Sequence, residues 1–466
     1  MSVFSRPNEP RLGVVTNYFP SLTETFIYRE MAALKRHGIE VRVFSVRRPP
    51  ERDVAEEVRP LRERTRYLLP SRWGRLAAAH LWWLARKPLC YLSTLLLLVC
   101  GRHYSLRDRL RTVAHFAVGV LVAREAAREN IGHLHAHYAS HPATIALAAA
   151  RLLKISFSFT GHAYDIWLDR LLLPQKMRSC SFAVTCTEAG GRALLKEAPG
   201  GDPAKVYTVY HGVDIEHFSP PAARDAAEED REPRILSVGR LDRQKGFHLL
   251  IEALGVLRRE GREFRLTIVG GGPWRERLEA RAASEGLADV VSFPGRVYHE
   301  RLPAYYRDAD LFVLPCFNDD GNTDNLPNVL LEAMACAVPV ISTRLQGIPE
   351  LVQDGLSGLL VEERDVAALT AAIRSCLTDG ELARRLGLAG RKRVVESFDL
   401  AQSGARLAGL YGKHLRGKGA SGVRRPSSLK GRISVRYLRQ TQLRPGQGRG
   451  QGTRGGHGAA DASSGT

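Results

Sequence analysis

The sequence predicts an α/β protein with two doubly wound domains that face each other across a cleft. Short apolar segments alternate with helical patterns almost from the amino terminus, which is typical of parallel sheets wrapped by helices. A polar, charged stretch without apolar periodicity interrupts this alternation at residues 222–233, and the same alternation then starts again. Ligands of such domains bind at the carboxyl ends of the strands, so the cleft is the expected functional site.

The predicted elements follow one another in a regular order. Strands of the first half are expected at RLGVVTNYF, EVRVFSV, IGHLHAHYA, ISFSFTGHA, SFAVTCTEA and KVYTVYHGV, with a helix from Thr23 to His37. Strands of the second half are expected at PRILSVGRL, FRLTIVGGGP, VVSFPGRV, DLFVLPC, VPVIS and SGLLV, with helices at FHLLIEALGVLRRE and VAALTAAIRSCL. We therefore predict an amino-terminal domain over 1–221, a linker over 222–233 and a carboxy-terminal domain over 234–414.

Positive charge is concentrated in two parts of the chain. The 466 residues carry a formal net charge of +19, while a hydrophobic content of 44% and a charged content of 25% are ordinary for a globular protein. Residues 415–466 hold eleven Lys and Arg residues against one acid and are rich in Gly and Ser, so we expect a disordered basic tail. Residues 47–112 hold fifteen Lys and Arg residues against six acids, interleaved with apolar and aromatic runs.

The basic stretch at 47–112 allows two interpretations. Its longest apolar part is interrupted by Arg86 and Lys87, and the remainder, Pro88 to Cys100, is shorter than the about 20 residues that a bilayer requires. It is either a pair of amphipathic helices with solvated arginines or a basic surface that rests on anionic lipid. The cations of such a surface would be Arg72, Arg75, Arg86 and Lys87.

The cysteines and the amino terminus indicate a reducing compartment. The seven cysteines, an odd number, form no CxxC pair, and residues 1–11 are polar, unlike a signal peptide. We therefore expect a cytoplasmic protein, peripheral on the inner face of the plasma membrane if the lipid interpretation holds.

One segment of the second half, DNLPNVLLEAMACAVPVIS, combines a helix start with two acids. Pro327 suits the first position of a helix, and Asn325 is placed to cap it. The N–H groups of Asn328, Val329 and Leu330 would then point into the cleft, where free N–H groups at a helix start bind phosphate.

Acids and cations accompany this helix start. Glu332, about one turn into the helix, can accept two hydrogen bonds from a ribose, and Asp324, in the preceding loop, can do the same for a sugar. Arg240 follows Gly239 at a strand end, and Lys245 lies at the expected start of the next helix. Two cations at these positions can neutralise a diphosphate that leaves a sugar, without a metal ion.

These residues resemble the retaining glycosyltransferases of family 4, which have the GT-B fold of two facing Rossmann-like domains. The resemblance covers residues 11–411 and is carried by FTGHAYDIW, VYHGVDIEHFSP, SVGRLDRQKG, IVGGGP and DNLPNVLLEAMACAVPVIST. The segment PSLTETFIYREMAALKRHGIEV looks like the branch that builds bacterial exopolysaccharide, of the colanic-acid type. The resemblance implies transfer of a sugar from a UDP- or GDP-sugar to a hydroxyl acceptor such as a lipid-linked saccharide, with retention of configuration.

The resemblance also implies roles for single residues and no metal cofactor. Arg240 and Lys245, next to Gly239, would contact the donor diphosphate, and Glu332 would hold the donor ribose. His162 of FTGHAYDIW matches the histidine that the family places beside the reacting anomeric centre.

The acidic motif departs from the pattern of the family. Asp324 stands where the family usually has a glutamate and Asn325 where it commonly has a glycine, so the motif is D-x7-E. An aspartate is one methylene shorter, which alters the grip on the sugar hydroxyls. Thr23 and Glu24, in a loop without the usual glycines, are expected to shape the acceptor side.

Other functions remain open at this stage. A sugar-nucleotide binder without catalysis or a GT-B epimerase would be compatible with Asp324. A nucleic-acid-binding protein would account for the basic tail, although the sequence contains no recognisable nucleic-acid module.

Three further motifs are given structural interpretations. His133, His135 and His137 alternate along a strand as metal ligands can, but similar strands occur in the resembling family without a metal role. Asp308 and Asp310 spell DxD but precede a strand of the second domain, so we expect them at a helix end. GGGPW is only a fragment of a dinucleotide fingerprint.

Overall fold

A computed structural model describes residues 10–21, 24–50, 59–71, 73–101, 103–221 and 231–415. Over these ranges the chain forms two sheets, of seven and six strands, in which every strand pairing is parallel. The prediction of two doubly wound α/β domains is therefore confirmed. Outside the described residues lie most of the predicted linker, 222–230, nearly all of the predicted tail, 416–466, and also Thr23 and Arg72.

The amino-terminal domain supplies the seven-stranded sheet of the described ranges. Its strands are β1 (Arg11–Tyr18), β2 (Val41–Arg47), β3 (Thr65–Leu69), β4 (Ile131–His137), β5 (Ser156–Gly161), β6 (Phe182–Thr185) and β7 (Val206–Thr208). Its helices are α1 (Thr25–Arg36), α2 (Arg59–Glu63), α3 (Trp73–Arg86), α4 (Pro88–Val99), α5 (Leu106–Arg128), α6 (His141–Leu153), α7 (Tyr164–Trp167), α8 (Leu173–Ser179) and α9 (Glu188–Glu197).

The carboxy-terminal domain supplies the second sheet. Its strands are β8 (Arg234–Val238), β9 (Arg265–Val269), β10 (Val291–Gly295), β11 (Leu311–Leu314), β12 (Val340–Thr343) and β13 (Leu359–Val361). The helices after β8 are α10 (Phe247–Arg259), α11 (Arg275–Ser284), α12 (Leu302–Asp308), α13 (Asn328–Ala335), α14 (Ile348–Leu351), α15 (Val366–Thr378), α16 (Gly380–Ser397) and α17 (Leu400–Leu415). Asp308 thus ends a helix, as expected.

Both sheets reverse their winding direction at a central pair of strands. The strand orders are β3-β2-β1-β4-β5-β6-β7 and β10-β9-β8-β11-β12-β13, so the reversals lie between β1 and β4 and between β8 and β11. At such a point the loops leave the strands in opposite directions and open a crevice. Glu24 follows β1, Tyr138 follows β4, Lys245 follows β8 and Asp324 follows β11, so the topology directs all four toward the crevices.

The central strands are mostly buried. The strands β11 and β12 are buried along their whole length, as are four of the five residues of β8 and five of the eight residues of β1, because helices cover both faces of each sheet. The strand β4 is also buried, although three of its seven residues are histidines. Those histidines therefore require partners inside the protein.

The last helix returns to the amino-terminal domain. Leu407 and Leu415 of α17 join a core cluster with residues of the first sheet. The hydroxyl of Tyr411 donates a hydrogen bond to Glu30 of α1 over 3.2 Å. This corrects the predicted domain range 234–414, because the apolar period of a helix does not reveal which core the helix packs against.

The basic stretch forms separate helices. α3 ends at Arg86 and α4 begins at Pro88, with Lys87 between them. Proline lacks an N–H and disfavours helical geometry in the residue before it, which explains the break. Among the described residues, no helix is both long enough and apolar enough to cross a membrane.

Candidate functional site

Lys245 and Asp324 form a salt bridge on the carboxy-terminal side of the cleft. The Nζ of Lys245 lies 2.9 Å from one carboxylate oxygen of Asp324 and donates a hydrogen bond to the other over 3.0 Å. Burial alone would lower the pKa of the Lys245 ammonium, but Asp324 and Cys316 raise it above its ordinary value. The lysine therefore keeps its charge, and the predicted phosphate-binding cation touches the predicted sugar-binding acid.

Arg240 and Gly239 lie directly after β8. The side chain of Arg240 is 61% exposed, and its Nε donates a hydrogen bond to Asp242 over 2.6 Å. Such an exposed ion pair opens at little cost, so Arg240 is free to turn toward a ligand. The N–H of Gly239 donates to the carbonyl of Val269, so it is not available to a ligand. Gly239 instead leaves room beside the cleft, because an added Cβ would lie 3.3 Å from Phe247.

The helix α13 starts at Asn328, one residue later than predicted, with Pro327 before it. The N–H of Leu330 donates to the carbonyl of Pro327 over 3.1 Å, so the prediction of a free N–H is wrong for Leu330. Within the described residues, the N–H groups of Asn328 and Val329 have no hydrogen-bond acceptor. Two N–H groups, rather than three, are therefore available at this helix start.

Glu332 lies one turn into α13 and is only 3% exposed. The hydroxyl of Tyr306 donates a hydrogen bond to its Oε2 over 3.0 Å. Burial, and next Glu332 itself, raise the pKa of Tyr306 well above its ordinary value, so the phenol remains a donor. The other oxygen, Oε1, lies 3.6 Å from the guanidinium of Arg29 in α1 and 3.5 Å from Nε2 of His299. One carboxylate oxygen is thus fixed and the other faces the amino-terminal domain.

On the opposite side of the cleft, His162 follows β5, and its ring is stacked on that of His211 and surrounded by further aromatic rings. Its ring centroid lies 5.4 Å from that of His211, with the planes 9° apart, and 4.7 Å from those of Phe26 and Tyr138. Burial, and then His211, lower the pKa of His162 well below its ordinary value. His162 is therefore neutral near pH 7. Its Nε2 is buried and finds no hydrogen-bond partner among the described residues, which leaves it available to a ligand.

Asp165 holds the backbone that presents His162. Its carboxylate accepts hydrogen bonds from the N–H groups of His162 and Ala163, each over 3.0 Å, and from that of Ala139. Burial raises the pKa of Asp165, and these three hydrogen bonds act against that rise. The tight turn of GHAYD therefore has a structural cause in Asp165.

Asn325 connects the two sides of the cleft. Its Nδ2 donates to the carbonyl of His162 over 2.8 Å, and its Oδ1 accepts from the hydroxyl of Thr187 over 2.7 Å. The predicted helix cap is therefore wrong, because these contacts with the other domain use both polar atoms of the side chain. Asn325 instead holds the loop of Asp324 against the loop of His162.

A second contact between the domains is made by Glu350 of α14. Its carboxylate accepts hydrogen bonds from the N–H groups of Glu188 and Ala189 at the start of α9, each over 2.7 Å. The hydroxyl of Tyr210 donates to it over 3.0 Å. A carboxylate at a helix start also complements the partial positive charge of the helix end. Glu350 therefore stabilises the contact between the domains.

Glu24 lies beside the same rings as His162. The hydroxyl of Tyr138 donates a hydrogen bond to its Oε1 over 2.9 Å. Over the ranges that the structure describes, its Oε2 is buried without a partner. Burial raises the pKa of Glu24 to about 7, although the hydrogen bond from Tyr138 opposes this. A role of Glu24 on the acceptor side stays a prediction, and this carboxyl oxygen is available for it.

Two of the three histidines of β4 have hydroxyl partners, whereas both ring nitrogens of His137 are buried without a hydrogen-bond partner among the described residues. The ring nitrogens of His133 bond to Ser156 and Ser158, and those of His135 bond to Ser158 and Thr160, over 2.6 to 2.9 Å. These contacts explain how two imidazoles are accommodated in a buried strand, and they agree with the structural interpretation of the alternating histidines.

In the part of the chain that the structure describes, two groups of side chains have the spacing of metal ligands. They are His162, Cys186 and His211, and Glu30, His135 and His137. Burial raises the pKa of the Cys186 thiol to about 12, which disfavours the thiolate that binds metals. The nitrogens of His135 are already bonded to hydroxyls. Neither group therefore offers a complete set of free ligands as it stands.

The structure adds site residues that the sequence analysis missed. They are Arg29, Tyr138, His211, Tyr306 and Glu350. A signal existed for His211, in the quoted segment VYHGVDIEHFSP, and for Arg29, in the quoted segment PSLTETFIYREMAALKRHGIEV. Tyr138, Tyr306 and Glu350 reach the cleft through contacts between distant parts of the chain, and spacing along the sequence carries no signal for such contacts.

The two parallel sheets, with acids and cations at their facing switch points, define a glycosyltransferase of the GT-B class. The chain belongs to the glycosyl transferases group 1, whose family profile matches residues 220–393. The profile, together with relatives named for colanic acid and amylovoran biosynthesis, confirms the resemblance to this family and to exopolysaccharide glycosyltransferases.

Two relatives illustrate this membership. A putative colanic acid biosynthesis glycosyltransferase, WcaL, from Salmonella typhimurium is 30% identical over 405 residues, which cover 84% of this chain and 97% of the relative. A GDP-mannose-dependent alpha-(1-6)-phosphatidylinositol monomannoside mannosyltransferase from Mycolicibacterium smegmatis is 41% identical over 207 residues. That match covers 43% of this chain and only 54% of the mannosyltransferase, so the chain spans about half the length of this relative.

Solved structures agree on the fold. A glycosyltransferase from Rickettsia africae has a TM-score of 0.66 at 18% identity, over 88% of this chain and 100% of that protein. Anabaena Alr3699/HepE in complex with UDP and glucose has a TM-score of 0.64 at 16% identity, over 87% of this chain and 99% of that protein. At these identities the likeness shows the fold alone.

Proposed function

We propose that this protein transfers a sugar from a UDP- or GDP-sugar to a hydroxyl group of an acceptor, with retention of the anomeric configuration. The contact between Lys245 and Asp324, in a loop that Asn325 ties to His162, carries this proposal. In a nucleotide sugar, the bond that breaks joins the sugar to the diphosphate. An acid for the sugar and a cation for the phosphate must therefore be neighbours, as these two are.

The donor would lie along the carboxy-terminal side of the cleft. Lys245 and the N–H groups of Asn328 and Val329 would hold the diphosphate, because an ammonium and a helix start both favour phosphate. Arg240 would join them after leaving Asp242. Glu332 would accept hydrogen bonds from the ribose hydroxyls.

The reaction would proceed on one face of the sugar. The acceptor oxygen forms a bond to the anomeric carbon, while the bond from that carbon to the diphosphate oxygen breaks. The electron pair of the broken bond stays on the diphosphate, which takes the proton of the acceptor hydroxyl. Lys245 and Arg240 stabilise the growing charge of the leaving group. The neutral His162 bonds to the sugar or the departing phosphate, and contact between the domains excludes water.

The names of relatives support the choice of substrates. The mycobacterial relative is named for GDP-mannose and a phosphatidylinositol mannoside, and the Salmonella relative for colanic acid. Anabaena HepE was solved in complex with UDP-glucose. We therefore place a lipid-linked saccharide as acceptor, in exopolysaccharide or glycolipid synthesis.

The charges of the site support a reaction without a metal cofactor. Lys245 remains protonated because Asp324 and Cys316 outweigh the effect of its burial. We place the enzyme in the cytoplasm, where the seven unpaired cysteines, five of them buried, would stay reduced.

The test is a thermal-shift and hydrolysis panel of UDP-, GDP- and ADP-sugars on the full chain, with and without EDTA. A donor at 100 times its dissociation constant should add about 2.7 kcal/mol to the free energy of unfolding. Glu332→Ala should abolish this shift, because the ribose loses its acceptor. Glu285→Ala, the control, removes a partner of Arg259 and Arg281 and should leave the stabilisation by the donor unchanged.

The outcomes separate the candidate functions. A shift that survives EDTA, with transfer to an acceptor, supports the proposal and identifies the donor. Binding without transfer would favour a sugar-nucleotide binder, and isomerisation of the donor an epimerase. If no sugar nucleotide shifts the melting temperature, the proposal fails and nucleic-acid binding through the basic tail becomes the better explanation.

A further inference from the structure

Exposed apolar side chains are concentrated in one part of the amino-terminal domain. Of the fifteen large hydrophobic residues that are exposed in the described part of the chain, ten lie within residues 73–113. These ten, named the α3–α5 surface, are Trp73, Leu81, Leu84, Leu89, Leu92, Leu96, Tyr104, Leu106, Leu110 and Val113. Single exposed apolar residues are ordinary on a protein surface, whereas such a concentration marks an interaction site.

The spacing of these residues follows the helices. Leu89, Leu92 and Leu96 recur along α4 at intervals of three and four residues, as residues on one helical face do. The same helix buries Leu98 in the core of the domain, and α3 buries Trp83 there. The helices are therefore anchored on one side and present leucines to solvent on the other.

Cations accompany the leucines. Residues 73–113 contain seven Lys and Arg residues but a single acid, Asp108. The guanidinium of Arg86 lies 4.5 Å from the ring centroid of Trp82, and the Nζ of Lys87 lies 5.4 Å from that of Trp83. Both cations are exposed. A surface of leucines and aromatic rings among cations matches the boundary between acyl chains and anionic head groups.

The surface continues toward the candidate active site. Tyr104 lines a cleft of about 270 Å³ together with Tyr164 and Leu168 of the segment that follows His162. Tyr164 gives this cleft an aromatic side chain, and Arg111 pairs with Asp108 and Asp169 of the same lining, so the cleft suits the uncharged rings of a saccharide. An acceptor that is anchored in lipid would thus find a place for its saccharide directly beside the α3–α5 surface.

We propose that the α3–α5 surface docks this protein on an anionic lipid bilayer. The leucines enter the boundary between head groups and acyl chains, and Arg86, Lys87 and their neighbours contact the head groups. Docking stands on these exposed side chains and does not depend on sugar transfer. Only the delivery of a lipid-linked acceptor through the cleft rests on the proposed function.

The test is co-sedimentation of the full chain with vesicles of phosphatidylcholine, with and without phosphatidylglycerol. The wild type should bind the anionic vesicles. The pair Leu89→Ser and Leu96→Ser leaves every charge in place, including those of residues 415–466, and should lower the partition coefficient about 100-fold because two apolar side chains no longer enter the lipid. The pair Arg86→Ser and Lys87→Ser should lower it about 30-fold on anionic vesicles.

Matched controls come from the other domain. Leu356→Ser with Leu388→Ser replaces two leucines that are 59% and 53% exposed, and should leave vesicle binding unchanged. Arg384→Ser with Lys392→Ser removes two exposed cations of the other domain. This pair is the control for Arg86→Ser with Lys87→Ser and should also leave vesicle binding unchanged. Melting temperatures within a few degrees of the wild type show that the variants fold.

Two results would overturn the proposal. One is vesicle binding by the leucine pair equal to that of the wild type, which would assign binding to other charges. The other is a wild-type dimer in light scattering that the leucine pair dissociates, because the surface would then be an interface between two copies. A donor shift in the nucleotide-sugar panel is independent of both, so failure of docking and failure of sugar transfer are distinguishable.

Discussion

Titratable groups removed from water are neutral on one side of the cleft and charged on the other. On the amino-terminal side, His162 is buried, His211 and Glu24 are half-buried, and none of them has a counterion among the described residues, so removal from water lowers the pKa of both histidines and raises that of the carboxyl. On the carboxy-terminal side, Lys245 is buried against Asp324 and keeps its charge. The first side is suited to uncharged hydroxyl groups, and the second is suited to a diphosphate.

The physical cause of this difference is the presence or absence of a partner. Removal from water disfavours the charged form of any group, whereas an opposite charge at about 3 Å restores it. Lys245 has such a partner in Asp324, whereas the rings around His162 offer none. The same burial therefore yields neutral groups on one side of the cleft and an ion pair on the other.

The largest expected effect is loss of stability on acidification. Burial lowers the pKa of seven histidines of the amino-terminal domain. The pKa falls to about 4 for His141 and His211, to about 3 for His115 and His133, and well below the ordinary value for His135, His137 and His162. Unfolding restores a pKa near 6.5, so below that pH the unfolded state binds more protons. The free energy of unfolding therefore falls as the pH falls.

Glu24 and Glu30 act in the opposite direction. Burial raises the pKa of each to about 7, so their contribution is full below about pH 4.5 and is lost as the pH rises toward 7. Asp165, whose pKa burial also raises, acts in the same direction as these two. Because seven groups outnumber three, we expect a net loss on the order of 5 kcal/mol from pH 7 to pH 5. Melting temperatures across this range would measure it, and a flat or rising curve would contradict it. Glu24→Gln with Glu30→Gln should make the loss steeper.

The next effect tests the ion pair. Asp324→Ala should lower kcat/KM about 1000-fold, because the sugar loses an acceptor and Lys245 loses its counterion. The free energy of unfolding should fall by about 3 kcal/mol, since a buried cation is left unpaired. Kinetics and urea unfolding would measure the two losses.

A matched variant sharpens this result. Asp319→Ala breaks the pair with Arg243, whose side chain is 53% exposed, in the same loop. Exposed pairs contribute at most about 1 kcal/mol, so both stability and kcat/KM should change little. Equal losses in the two variants would show that the position of Asp324 at the donor site has no special role.

A smaller effect is expected on the opposite side. His162→Ala should lower kcat about 100-fold with little change in KM for the donor, because the lost hydrogen bond acts at the reacting centre. His162 is neutral at working pH, so the pH profile of the residual rate should keep the wild-type shape. His162→Gln retains an N–H donor and should recover part of the rate. A shifted pH profile would show that His162 titrates, against this account.

The smallest effect concerns the connection between the two sides. Asn325→Gly removes the hydrogen bonds to His162 and Thr187 and should raise the donor KM about 30-fold, since each of the two bonds contributes about 1 kcal/mol. Small-angle scattering should show a larger radius of gyration without donor. Asn322→Gly, at an exposed position of the same loop, is the matched control. An unchanged KM in Asn325→Gly would remove this residue from domain closure.

The fold was predictable because each sequence pattern that indicates it lies within a short segment of the chain. Apolar runs such as RILSV, the helical period of FHLLIEALGVLRR and the charged stretch at 222–233 are each contained in a short segment. The alternation of strands and helices then permits few arrangements other than parallel sheets. The sequence also indicated the acids and cations of the donor side, because Lys245 lies just before α10, Asp324 in the loop before α13 and Glu332 one turn into α13.

Only the tertiary structure decided which side chains meet. Asn325 bonds to His162 although 163 positions separate them, and α17 packs on the first domain although it follows the second. The N–H of Leu330 is used by the carbonyl of Pro327 because of the local backbone geometry. The ring of His162 is neutral because it is buried. The sequence by itself determined the elements, the class of fold and the residue types of the donor side. Which side chains contact each other across the cleft was decided by packing. Burial and attraction between opposite charges act through space, so they produce no periodic pattern along the sequence.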